Sequence, residues 1–116
     1  MADSVILIGW NEPKSGRETM AAQLFGETVQ YYTTMVKNGT IESFEPVLLT
    51  RHGGDLNGFI LIRGDAAKLD DWQRSPEFEN LTIRAVQCLD RFGVVRGWIG
   101  EGLQRIMQQW MATLPK

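Results

Sequence analysis

The single histidine, His52, is the one side chain whose unperturbed pKa lies near neutrality, which makes it the first candidate for moving a proton. It stands in Arg51-His52-Gly53-Gly54-Asp55-Leu56-Asn57-Gly58. Asp55 is close enough in sequence to orient its ring, as a base–orienter pair requires. His52 and Asp55 are therefore the catalytic candidates. The same stretch also reads as a plain turn, because Gly, Asp and Asn supply turn conformations. It does not read as a phosphate cradle, since it lacks the G-x-x-x-x-G-K-[ST] spacing and leads into a strand. One histidine and one cysteine, Cys88, cannot build a multi-histidine or cysteine metal cluster, and no carboxylate spacing suggests another kind. The sequence assigns no metal and no cofactor.

A second set of residues suits ligand binding. Trp10-Asn11 leaves the end of a first strand, and Gly97-Trp98 lies near the end of the last. The repeated Gly-Trp places two indoles at the rim of a sheet, where a pocket mouth forms; an apolar pocket with a few polar groups, such as Asn11 and Glu12, is the usual ligand-site composition. Core packing is the alternative job for each tryptophan. Arg63 interrupts an apolar strand. Facing inward it needs a carboxylate or an anionic ligand, because a bare buried charge is costly; near the strand's end it is simply solvated. Glu42 and Glu45 lie on opposite faces of a strand and make no obvious acid/base pair. Cys88 falls off the best helical stripe and reads as a structural or incidental thiol.

The elements that must hold these residues fit one domain over 1–116, with a core at 4–100 and a last helix at about 102–114. The chain has 116 residues, 43% of them hydrophobic and 22% charged, which is ordinary globular composition. Its net charge of −2 offers no broad positive field for a phosphate backbone, so nucleic acid is not an expected partner. No apolar stretch approaches the ~20 residues that span a bilayer, so no membrane partner is expected. Met1-Ala2-Asp3-Ser4 has no basic region ahead of its apolar run, so a signal peptide is not expected and a reducing cytoplasm is the compartment inferred.

Val5 to Trp10 reads as a strand. Ser15-Gly16-Arg17-Glu18 has the spacing of a capping box and opens a long helix. That helix carries the stripe Ala21, Leu24, Phe25, Thr28, Tyr32, Met35 and Val36, with Gly39 as a left-handed cap. Ile41 to Thr50 is a second strand, and Pro46 assigns it to an edge. Gly58 to Gly64 is the third strand. Asp65 caps a short helix through Leu69 and Trp72, and Ser75-Pro76 starts another through Phe78, Leu81, Ala85 and Leu89, stopped at Gly93. Val94 to Ile99 is the fourth strand. The last helix carries Leu103, Ile106, Met107, Trp110, Met111 and Leu114. This order, β-α-β-β-α-β plus a helix, is the α+β ferredoxin-like arrangement with the first and third strands central.

One feature breaks the expected alternation. Val5, Ile6, Leu7 and Ile8 are apolar on both parities, and so are Phe59, Ile60, Leu61 and Ile62. Two helices cover only one sheet face, so the other needs burial too. A second copy pairing face to face supplies it with one self-complementary patch; folding of the last helix across the sheet is the alternative.

In the order of elements, the two doubly apolar central strands and the broken helix Leu69-x-x-Trp72-x-x-Ser75-Pro76-x-Phe78, the chain resembles the dimeric α+β barrel superfamily. That group includes antibiotic-biosynthesis monooxygenase-like, muconolactone isomerase-like and stress-responsive barrel proteins. The resemblance is architectural, covers about residues 4–100 and carries over no catalytic motif. It implies a homodimer and a pocket between sheet and helices for a small organic molecule, handled without a cofactor. His52 would be the base, with Trp10, Asn11, Trp72 and Trp98 shaping the pocket. A non-catalytic dimerisation or protein-interaction module is the alternative. RNA recognition shares the element order, but the third strand lacks the aromatic pattern for base stacking.

Overall fold

The computed structural model describes residues 2–115. Its elements run β1 (Ser4–Trp10), α1 (Glu18–Lys37), β2 (Ser43–Leu48), β3 (Gly58–Gly64), α2 (Ala66–Gln73), α3 (Pro76–Cys88), β4 (Gly93–Trp98) and α4 (Gly100–Ala112). The four strands form one antiparallel sheet in the order β2-β3-β1-β4. The two most apolar strands are central. Pro46 sits on edge strand β2, where its missing N–H costs no ladder bond.

Burial shows which parity faces the helices. Ile6 pairs with Ile62 and Ile8 with Ile60, and all four side chains are buried under α1, α2 and α3. Tyr32, Leu69, Trp72 and Phe78 complete that core. A second cluster, Ala21, Leu24, Ala85 and Cys88, joins α1 to α3. The opposite parity carries Leu7, Phe59, Leu61, Val47 and Val95 on a face that no helix covers.

Local chemistry explains most boundaries. The Asp65 carboxylate accepts from the Lys68 backbone N–H, and the Ser75 hydroxyl accepts from that of Phe78, with Pro76 in the first helical turn. At the end of α1, Gly39 has φ +81°. Its N–H donates to the Val36 carbonyl and that of Thr40 to Met35, so two terminal carbonyls are satisfied.

Two expectations are corrected. The capping box does not form: Arg17 N–H bonds the Lys14 carbonyl, and Gly16 at φ +82° makes the turn, so Glu18 opens α1 one turn too late to reach back to Ser15. α3 ends at Cys88, not near Gly93, because Leu89 turns extended and bridges to Pro13. Of the two readings of Cys88, burial favours the structural one: it lies fully buried between α1 and α3, and burial pushes its thiol pKa up.

Candidate functional site

The helices do not close completely on the sheet. Between α1, α3 and the strand ends at Trp10 and Leu48 lies a cavity of about 380 Å³. Small residues make this space: Ala21 and Ala22 on α1 face Ala85 on α3 across it. Its walls are Ile8, Ile60, Leu24, Leu81 and the rings of Trp10, Phe25, Phe78 and Phe92. Trp10 stands edge-on to Phe25 at 6.2 Å. Gly58 lets the indole lie flat over β3, since a Cβ there would come within 2.6 Å of the ring. The size sits at the low end of ligand pockets, roughly 300–1,000 Å³.

Polar groups in the lining are few: Glu18, Thr28, Tyr32 and Thr82. Glu18 is exposed at the first turn of α1. The Thr82 hydroxyl donates to the Phe78 carbonyl. Tyr32 is different. It is 3% exposed, but its hydroxyl is not sealed in without a partner: among the described residues Arg96 Nε is the one buried side-chain nitrogen or oxygen that lacks one. Burial raises its pKa well above that of an ordinary phenol, with the neighbouring Tyr31 adding to the effect. Tyr32 is therefore a neutral hydrogen-bond donor at physiological pH. Because its folded-state pKa is raised, the associated stability is present below the unfolded value near 10 and is lost as pH climbs beyond it. An ultraviolet titration of the native protein should leave one phenol protonated past the range where tyrosine normally ionises, and stability should decline above pH ~10. A Tyr32→Phe variant should lose that late-titrating component.

The frame around the cavity is tied by polar links. Arg84 on α3 makes a two-pronged pair with Glu27 on α1, at 2.7 and 3.2 Å. That hydrogen-bonded pair holds the Glu27 carboxyl below its usual range. At the mouth, Lys14 N–H donates to the Cys88 carbonyl and Asp90 N–H to Glu12, so the segment after β1 is fastened to the end of α3.

Of the residues singled out in the sequence, Trp10 alone lines this cavity. Asn11 accepts from the Asn57 side chain at 2.8 Å and anchors the 49–57 loop. Trp72 is buried in the core with its indole N–H donating to the Tyr31 hydroxyl, and it does not line this cavity. Trp98 pairs with Ser4, at the opposite end of the sheet from Trp10, so the two Gly-Trp indoles do not share a rim. Arg63 lies on the helix-free face, 3.8 Å from Glu45.

His52 and Asp55 are not brought together as a dyad. The Gly54 N–H donates to His52 Nδ1 at 3.2 Å, which leaves the proton on Nε2 to donate to the Leu56 carbonyl at 2.7 Å. Both ring nitrogens are spent on the loop itself. Asp55 is drawn to Arg91 at 2.6 Å instead. The unabsorbed signal for the site was the set of alanines at 21, 22 and 85, small residues on helical stripes that would otherwise close on each other.

No family model matches this chain, and no curated protein matches it. Solved structures do. A dimeric protein of unknown function and ferredoxin-like fold from Bacteroides fragilis matches over 83% of this chain and 96% of its own, at TM-score 0.59 and 13% identity. This chain has the ferredoxin-like fold. A second structural neighbour, SnoaB from Streptomyces nogalater, is a cofactor-independent oxygenase; it matches over 85% of this chain and 93% of its own, at TM-score 0.50 and 16% identity. The four-stranded order β2-β3-β1-β4 with its helices on one side agrees with that assignment. Among the described residues no helix is long and apolar enough to cross a membrane. No cluster of three or more His, Cys, Asp or Glu side chains is placed to hold a metal ion among them.

Proposed function

We propose that this protein is a homodimer that binds a small, uncharged aromatic molecule bearing a carbonyl or similar acceptor, in the cavity between α1, α3 and the sheet. The observation that carries the reading is the cavity's composition: aromatic and aliphatic walls that include the largely buried, neutral phenol of Tyr32. Flat apolar rings suit the Trp10, Phe25, Phe78 and Phe92 walls. A ligand carbonyl gives the Tyr32 hydroxyl an acceptor in an apolar setting, a net gain of about 1 kcal/mol. Glu18, the lining carboxylate, disfavours an anionic ligand. The dimer half of the proposal is supported by the uncovered apolar sheet face and by a neighbour of the same fold that is dimeric. Binding without a cofactor is in keeping with the oxygenase neighbour.

Isothermal titration with three matched probes tests the ligand. 2-Acetylnaphthalene, which is neutral with a carbonyl, is expected to bind. Naphthalene, lacking the acceptor, should bind about five-fold more weakly, the value of one net hydrogen bond near 1 kcal/mol. 2-Naphthoate should bind more weakly still. Tyr32→Phe should erase the difference between the first two. Ala22→Trp, at an exposed position of the lining, should fill the cavity and weaken all binding by at least about ten-fold without lowering the melting temperature. Absence of heat with every probe, or binding that ignores Ala22→Trp, overturns the assignment.

A further inference from the structure

The C-terminal helix does not behave as part of the domain it belongs to. Its first turn is locked down: Ile99 N–H donates to the Asp3 carbonyl, and Gly102 is buried so tightly that a Cβ would lie 2.2 Å from the same oxygen. From there the helix runs outward. Leu103, Met107, Trp110, Met111 and Leu114 are 46%, 40%, 57%, 64% and 46% exposed. Their spacing places them along one stripe of the helix. Among the described residues no side-chain hydrogen bond or ion pair joins α4 to the body. The chain is correspondingly elongated, with extents of 54 × 37 × 22 Å and a radius of gyration of 15.9 Å. A compact chain of this length has about 13 Å.

An exposed stripe with two methionines and a tryptophan is made to be covered, and three coverings are conceivable. Its own sheet face is out of reach. Ile99 is the whole connection between β4 and α4, and the Gly102 contact fixes the departure angle, so the helix has no slack to fold back. A lipid surface is disfavoured by the polar face. It carries Gln104, Gln108 and Gln109, with Arg105 as its basic residue, whereas interfacial helices surround their apolar face with Lys and Arg. A second copy of this chain fits. Each chain carries two unpartnered apolar surfaces, the sheet face through Val95 of β4 and the α4 stripe that follows β4 directly. A two-fold pairing of sheet faces brings a partner alongside the arm of each, and every protomer both gives and receives one.

We propose that α4 is an exchanged arm whose Leu103–Leu114 stripe packs on the partner protomer. The proposal rests on the pairing of sheet faces put forward above, and its test separates the two. A Met111→Cys variant places a reporter thiol on the stripe, while native Cys88 is buried and reacts slowly. The reaction rate with a water-soluble disulfide reagent is measured beside the mass by light scattering. The monomer reference is the same variant carrying Leu61→Asp on the sheet face. Slowing by at least about ten-fold in the dimer relative to that reference supports the exchanged arm. A dimer whose position-111 thiol reacts as fast as in the reference overturns the arm but leaves the pairing standing. A parent protein that stays at 13.1 kDa at every concentration overturns both.

Discussion

Replacing Trp72 with alanine should remove about 3–5 kcal/mol of folding stability. Trp72 is 4% exposed and is the point where three helices meet over the sheet. Its ring stands edge-on to Phe78 of α3 at 4.8 Å and to Tyr32 of α1 at 5.5 Å. Its N–H donates to the Tyr31 hydroxyl at 2.9 Å. Alanine leaves a void that helices fixed by their own caps cannot collapse into, so the loss includes both transfer and cavity terms. Domains of this size hold roughly 5–15 kcal/mol in all, and the variant should be visibly less stable in a urea titration followed by circular dichroism. Trp72→Phe keeps most of the ring and forfeits chiefly the hydrogen bond, near 1 kcal/mol. A loss below about 1 kcal/mol for the alanine variant would mean the indole is not the packing centre described. The same substitution should also loosen Tyr32, and with it the donor offered to a ligand.

The frame of the fold was legible because its signals are local. Asp65 and Ser75-Pro76 mark helix starts through bonds to N–H groups three residues on. Gly39 marks a helix end because its backbone must turn left-handed. Pro46 marks an edge by what it cannot donate. Gly58 to Gly64 was read with both ends right because glycines bound an unbroken apolar run. The failures come where a local pattern met a longer-range competitor. Ser15 and Glu18 have capping-box spacing, but the Gly16 turn spends the segment first. Leu89 continues the helical stripe of α3, but the backbone there is claimed by Pro13 and Glu12 from the far end of the chain.

The site was less legible, for a physical reason. Residues lining an apolar cavity and residues filling a core obey the same rule, so Tyr32, Phe78 and Ala85 look like ordinary stripe positions until the gap between α1 and α3 is known. Trp10 was identifiable because an aromatic at the end of a strand is conspicuous in any packing. His52 and Asp55 misled because closeness in sequence within a turn is a poor guide to which groups face each other. The carboxylate found the arginine at position 91, and the imidazole was absorbed by its own loop. What the pattern did convey was that both faces of the central strands want burial. It could not say which parity belonged to the helices, since Val5 to Ile8 carries no polar marker to break the tie; the burial of Ile6 and Ile62 beneath the helices settles it.

That parity gives the sharpest prediction, on two adjacent residues. Leu61→Asp should yield a folded protein of 13.1 kDa where the proposed dimer has twice that mass. Leu61 lies on central strand β3, opposite Leu7 of β1 and Glu45 of β2, on the face without helices. In a single protomer the new carboxylate meets water, so circular dichroism should change little and a cooperative melt should persist, lowered by the lost association. In the dimer it would be buried against apolar side chains with Glu45 beside it. An unpaired buried charge costs about 3–5 kcal/mol. Two-fold symmetry places the substitution in the interface twice. A total of at least about 6 kcal/mol weakens association by about 10⁴-fold, enough to dissolve even a nanomolar dimer at working concentrations. Ile62→Asp, one residue on, should do the reverse. Ile62 is 0% exposed beneath the helices, so the charge enters the core and the chain unfolds rather than dissociates. If Leu61→Asp unfolds the protein, or leaves its mass at the parental value, the uncovered face is not where two copies meet.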